Sequence, residues 1–283
     1  MISPIAHLPA EPFFMQAVPG ERFCITHPSR LKDECLGAVI YIHPFAEEMN
    51  KSRRMIALQS KILADLGYTV LQLDLYGCGD SSGDFADARW AIWKSDLATA
   101  EKWLAERYAG PITIWGLRLG ALLALEFASM TSSKIQQLIL WQPIINPENF
   151  VTQFLRLRLA SEILLEGGRQ NSATQALRNE LASGQLVEIA GYELAPELAN
   201  DISSINVARL AVTKCPVHWF EIVPESRLSL TPAGESLASS WRQQGVNLVV
   251  HPVPGLTFWA TQEITICAEL LSAMKRLFSL SKP

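Results

Sequence analysis

Residues 115–121 read Trp-Gly-Leu-Arg-Leu-Gly-Ala, and Gly116 and Gly120 bracket Arg118 with the spacing of a nucleophile elbow. In such a turn a strand doubles sharply into a helix and lifts one side chain above the sheet. The lifted residue normally attacks an electrophilic carbon, so it is serine, cysteine or aspartate. Here it is arginine, whose guanidinium stays protonated and has no lone pair free to attack. Acyl transfer also needs a base to take the nucleophile's proton and an acid to orient that base. In the chain order that accompanies such an elbow, nucleophile then acid then histidine, the acid is expected after the strand Val217–Val223, where Glu225 fits best and Glu221 stands behind it. The histidine is expected in the loop from Val253 to Trp259, and none is there. His251 comes earlier, inside the strand. Ser81 or Ser82 with His43 is the displaced alternative. Cys78 would need a nearby base or positive field to form a thiolate, and it reads as a small residue in a tight turn.

An elbow supplies more than one side chain. The amide of Leu119 opens a helix, where the dipole favours anions. The amide of Phe45, at the end of an earlier strand, is expected to converge on the same point. Arg118 adds a planar fork suited to a carboxylate or phosphate. These three groups form a candidate anion site for a small anionic molecule or a polymer end. The bland alternative pairs Arg118 internally with Glu47, Glu48 or Glu225. A third reading keeps an enzyme, with His43, Glu47 and Glu225 activating water and Arg118 stabilising charge. The charged loop Glu47–Arg54 is either a polar rim to this pocket or a solvated helix start, with Asn50 or Ser52 as N-cap.

The elements around these residues alternate. Phe13–Ala17 and Arg22–Thr26 flank Pro19-Gly20 as a hairpin. Leu36–His43 is a dense β-branched run suited to a strand buried on both faces. A helix over Ser52–Leu66 follows, then a strand over Tyr68–Leu75 and a helix over Asp84–Tyr108. Trp90, Trp93 and Trp103 on that helix are core in spacing. A strand at Pro111–Trp115, a helix at Leu117–Met130 and a strand at Ile135–Trp141 complete the regular part. The pattern breaks between Ile144 and Ile205. It resumes with Val217–Val223, a helix near Ala233–Gln244, a strand over Val246–Val253 and a helix over Thr261–Phe278. Such alternation predicts a mostly parallel central sheet with helices on both faces.

Three motifs sit on those strands in order: YIHPF at 41–45, DLYGCGDSSG at 74–83, and the elbow. Asp74 and Asp80 are expected to brace the middle turn through backbone amides. Together the three resemble the α/β-hydrolase fold. The break then implies a cap insertion over 144–205, with the core built from 1–143 and 206–283. The strings HPFAEEMNKSRR, LDLYGCGDSSGDF, WGLRLGALLAL, AGYELAPELA and PGLTFWATQE further resemble the exosortase A system-associated hydrolase 2 family. That resemblance spans roughly residues 14–275. It implies a bacterial setting of PEP-CTERM protein sorting and exopolysaccharide production, and leaves the substrate open.

Composition bounds the rest. The chain has 283 residues, 49% of them apolar and 18% charged, which excludes disorder and allows a large core. Its net charge of −4 carries no basic footprint for nucleic acid. The five cysteines form no CxxC pair, so they read as reduced apolar groups in the cytoplasm, with no metal site. No cofactor motif occurs. The most apolar run, Leu119–Phe127, is broken by Glu126 and is too short to span a bilayer. A twofold homodimer is the base-rate expectation for oligomeric state.

Overall fold

The computed structural model describes residues 9–31, 34–108, 110–166 and 170–280. Its centre is an eight-stranded sheet. The strands are β1 (Glu11–Gln16), β2 (Glu21–His27), β3 (Gly37–Ile42), β4 (Tyr68–Leu73), β5 (Ile112–Leu117), β6 (Ile135–Trp141), β9 (Val217–Val223) and β10 (Leu248–Pro254), in the spatial order β1-β2-β4-β3-β5-β6-β9-β10. β1 and β2 form an antiparallel hairpin, β2 runs antiparallel to β4, and all other neighbours are parallel. Every residue of β3 and β5 is buried, as unbroken apolar runs predict for central strands.

Register decides where chemistry can occur. Ile42 pairs with Gly116, Gly116 with Leu140, and Trp141 with Phe220. The carboxyl ends of β3, β5, β6 and β9 therefore lie side by side along one rim. In open parallel sheets that rim is where ligands bind.

Helices cover both faces. Under α2 (Trp90–Ala105) and α3 (Leu119–Met130) lie Ile40, Ile42, Leu71, Ile114 and Leu138. On the other face, α1 (Glu47–Asp65) and α8 (Ala268–Leu280) share a cluster with Val39, Tyr41, Trp115, Ile139 and Phe220. Trp115 and Trp141 meet there edge to face at 4.6 Å. α7 (Pro232–Gln243) starts at Thr231, whose hydroxyl accepts from the Gly234 amide. Between β6 and β9 the chain forms α4 (Pro147–Glu166), α5 (Gln170–Ala182), the hairpin β7 (Val187–Ile189) and β8 (Tyr192–Leu194), and α6 (Pro196–Ser204). Among the described residues, no helix is long and apolar enough to cross a membrane.

Three element starts differ from expectation. α1 begins at Glu47, not Ser52, and its N-cap is Ala46, with φ 48° and no side-chain cap bond. Neither Asn50 nor Ser52 caps it: Ser52 lies inside the helix and donates to the Glu48 carbonyl at 2.7 Å. Two glutamates in the first turn favour this early start through the helix dipole. The helix expected from Asp84 opens as a short turn at Phe85–Asp87, where Asp84 and Asp87 cap each other reciprocally, and α2 proper starts at Trp90. The last helix starts at Ala268, because Phe258 and Trp259 are drawn into the core and hold the preceding segment as a loop.

Candidate functional site

The elbow forms because two glycines permit contacts a side chain would block. A Cβ on Gly116 would sit 2.4 Å from the Gly120 carbonyl oxygen, and one on Gly120 would sit 2.4 Å from that of Ile42. β5 can thus turn into α3 while α3 rests on the end of β3. Arg118 occupies the corner with φ 55° and ψ −115°. A non-glycine residue held there costs about 1–3 kcal/mol, which the surroundings must offset. The Arg118 amide donates to the Trp141 carbonyl at 2.9 Å, and its carbonyl accepts from Ala121 at 3.1 Å.

The guanidinium reaches α1. Its Nε and Nη2 both lie 3.2 Å from Oε1 of Glu48. Of the three carboxylates weighed for Arg118, the partner is therefore Glu48. The rings of Trp259 and Phe150 flank the cation at 5.4 and 5.9 Å. The pair is not sealed, since the Arg118 and Glu48 side chains keep 19% and 15% of their exposure. Burial pushes the Glu48 carboxyl above its usual range, and Arg118 partly opposes that. The second oxygens of Glu47 and Glu48 are buried without a hydrogen-bond partner among the described residues.

These groups open on a cavity of about 260 Å³. Glu47, Glu48 and Lys51 come from α1, Arg118 from the elbow, Phe150, Gln153, Phe154 and Leu157 from α4, and Trp259 from the loop after β10. Phe45 closes the inner end and packs edge to face with Phe154 at 4.9 Å and Phe150 at 5.7 Å. Arg118, Phe150 and Gln153 also line a recess of about 200 Å³ that contains Glu221. Glu221 accepts from the Trp219 indole at 2.8 Å, and burial raises its pKa. The amides of Phe45 and Leu119 lack a hydrogen-bond partner among the described residues, and the two residues share one small pocket.

The remaining sequence candidates are placed elsewhere. His43 is buried, and both ring nitrogens are engaged. Nδ1 lies 2.7 Å from the Pro44 carbonyl and Nε2 accepts from the Leu75 amide at 3.2 Å. A carbonyl can only accept and an amide can only donate, so Nδ1 carries the proton and the ring is neutral. Burial also lowers its pKa. Glu225 is exposed beyond β9 and lines neither cavity. His218 and His251 pair with each other at 3.1 Å within β9 and β10. Ser81 donates to the Asp74 carbonyl and accepts from Phe23, while Ser82 accepts from the Glu21 amide. Burial pushes the Cys78 thiol far up. Asp74 accepts from the Asp80 amide at 3.2 Å, so it braces the turn; Asp80 contributes its backbone amide. Lys51 comes from the charged stretch read as a polar rim, whereas sequence reasoning missed Phe150, Gln153, Phe154 and Leu157. The four-residue spacing of the two phenylalanines, one face of a helix, was the available signal.

Comparison with known proteins bears on the fold and the family. Residues 33–206 match the model of the family described as serine aminopeptidase, S33. The Est1E protein of Butyrivibrio proteoclasticus, solved with ferulic acid bound, superposes with a TM-score of 0.67 at 17% identity, covering 95% of this chain and 96% of that one. A thermostable carboxyl esterase of Bacillus coagulans gives 0.64 at 14% identity, covering 95% and 98%. A monoglyceride lipase of Saccharomyces cerevisiae gives 0.63 at 17% identity, covering 99% of each chain. A search of curated proteins gives no match.

Proposed function

The chain belongs to the serine aminopeptidase S33 family and has the α/β-hydrolase fold, and from that premise we propose that it is a non-serine, degenerate member that binds an anionic ligand at Arg118. One observation carries this reading. The strained elbow is intact, yet it presents a permanent cation to a cavity where a nucleophile would stand. The ligand is a small anionic molecule or a polymer end, held by the Arg118 fork beside the Leu119 and Phe45 amides. In the free protein Glu48 fills that fork. The enzyme reading is less well supported, because His43 has no free nitrogen and Glu225 lies outside the cavity.

Three finer assignments belong to the same proposal. Residues 144–205 act as a cap on a core of 1–143 and 206–283, supported by the edge-to-face packing of Phe150 and Phe154 on Phe45. The chain works in the cytoplasm of bacteria with exosortase sorting and exopolysaccharide production, supported by the sequence strings given above. It is a homodimer on base-rate grounds.

The test compares thermal unfolding of wild type and Arg118→Ala with short-chain acids, acyl phosphates and sugar phosphates. At least one anion class should stabilise the wild type and spare the variant. No shift in wild type, or an equal shift in both, removes Arg118 as the receptor. A fluorophosphonate probe should add no covalent mass to wild type, and stoichiometric labelling would contradict the non-serine assignment.

A further inference from the structure

We infer that the ligand at Arg118 is a small monocarboxylate with an aromatic or branched apolar body, and that it enters by replacing Glu48 as that carboxylate moves off the guanidinium. This rests on the anion-binding reading above and adds the ligand's class and its coupling to protons.

The cavity itself selects the body. Away from its charged end it is walled by Phe45, Phe150, Phe154, Leu157 and Trp259. Drug-sized ligands occupy pockets of about 300–1,000 Å³, so a cavity of about 260 Å³ suits something smaller. Rings of this kind gain by offset or edge contacts with a flat apolar partner. Gln153 offers the one uncharged polar side chain among the lining residues, so most hydroxyls of a polyhydroxyl body would face apolar walls, at a cost of about 1–3 kcal/mol each.

The resting contact selects the head. Arg118 already holds a carboxylate oxygen with two of its nitrogens at 3.2 Å. Trp259 and Phe150 fix the guanidinium at the cavity wall. A ligand carboxylate can take over this contact with little rearrangement. An inorganic phosphate would bring a second charge toward Glu47 and Glu48, each of which already has one buried oxygen without a hydrogen-bond partner among the described residues.

Exchange then has a proton cost. With the ligand's charge on Arg118, an ionised Glu48 would face a second carboxylate and Glu47 with Lys51 as the other nearby cation. The groups around Glu48 are Glu47 and Lys51 on its own helix, Arg118 on the elbow and the buried Tyr41 hydroxyl of β3, while Glu221 of β9 faces Arg118 from the adjoining recess. Among the described residues, α4 and the loop after β10 line the cavity with uncharged side chains: Phe150, Gln153, Phe154, Leu157 and Trp259. Glu48 therefore takes up a proton as the ligand binds, and burial already favours its neutral form. At pH values above its titration the competent fraction falls, and affinity should fall about tenfold per pH unit.

Isothermal titration of the full chain with benzoate and cyclohexanecarboxylate tests this, with methyl benzoate and inorganic phosphate alongside, at about pH 5.5 and about pH 8.5. Both carboxylates should bind wild type, more weakly at the higher pH by about tenfold or more, with proton uptake visible as a buffer-dependent heat. Glu48→Gln should bind them tighter than wild type at the higher pH and lose the pH dependence. Wild-type affinity that does not change with pH, or a Glu48→Gln variant with the same pH dependence, overturns the exchange. Phosphate binding through Arg118 without carboxylate binding overturns the ligand class while leaving the anion-binding reading standing. Failure of every anion to bind overturns both.

Discussion

Replacing Arg118 by glycine and, separately, by alanine tests whether the elbow stores backbone strain. Both variants delete the same guanidinium and leave the same Glu48 behind, so the lost ion pair cancels between them. What differs is one methyl group at φ 55° and ψ −115°. At an unstrained position, glycine is the less stable of the two by about 0.5–1 kcal/mol, because its unfolded chain is freer. At this corner a Cβ-bearing residue is disfavoured by about 1–3 kcal/mol and glycine is not. The order should invert, with Arg118→Gly more stable than Arg118→Ala by about 1 kcal/mol. For a chain of this size that is about 2 °C or somewhat more in Tm, measurable by calorimetry and by urea midpoint. If alanine equals or exceeds glycine, the corner is relaxed. Arg118 is then not held at the elbow against backbone strain.

Asp96→Ala should cost about 3–5 kcal/mol in a urea titration, because it strands the Arg22 cation; the pair is 2.7 Å apart with side chains 0% and 1% exposed, and a loss below about 1 kcal/mol would refute the assignment. His218 should titrate near pH 4 by NMR, because burial and the neighbouring His251 disfavour its cation, and a signal titrating above the ordinary histidine value of about 6.5 would refute this. Its folded pKa is depressed, so the unfolded chain binds the proton first as pH falls. Stability from this residue is present at neutral pH and is lost between about 6.5 and about 4, and His218→Asn should remove that part of the pH profile.

The parallel sheet was legible because its strands are continuous apolar runs separated by amphipathic helices, a pattern few other folds produce. The elbow was legible because Gly116 and Gly120 each answer to a close backbone approach, 2.4 Å for an added Cβ, the first within the turn and the second against the end of β3. Helix starts were less legible. α1 begins at a left-handed Ala46, which no capping residue announces. That error matters for the site. Glu47 and Glu48 are neighbours in sequence but project about 100° apart on a helix. Until the start of α1 is known, neither can be chosen as the partner of Arg118. Phe150 and Phe154 were hidden for another reason. They lie in the insertion, where the strand–helix pattern gives no register, and only the packed structure sets them over Phe45.

A purely structural role for the Arg118–Glu48 pair meets an energetic objection. Apolar residues of similar volume commonly match or exceed the stability of a buried ion pair, often by about 1–4 kcal/mol. The surroundings here would suit such a replacement, since Phe45, Phe150, Phe154 and Trp259 already crowd the site. Instead the pair sits at the wall of a cavity and keeps part of its exposure. One oxygen of Glu48 and one of Glu47 are buried without a hydrogen-bond partner among the described residues. Each of these features costs stability, and the strained corner beneath adds to the sum. An arrangement poor as a lock is well suited to exchange. The cation is held ready, its resting partner is easily neutralised, and the space beside it has the apolar walls a small acid needs.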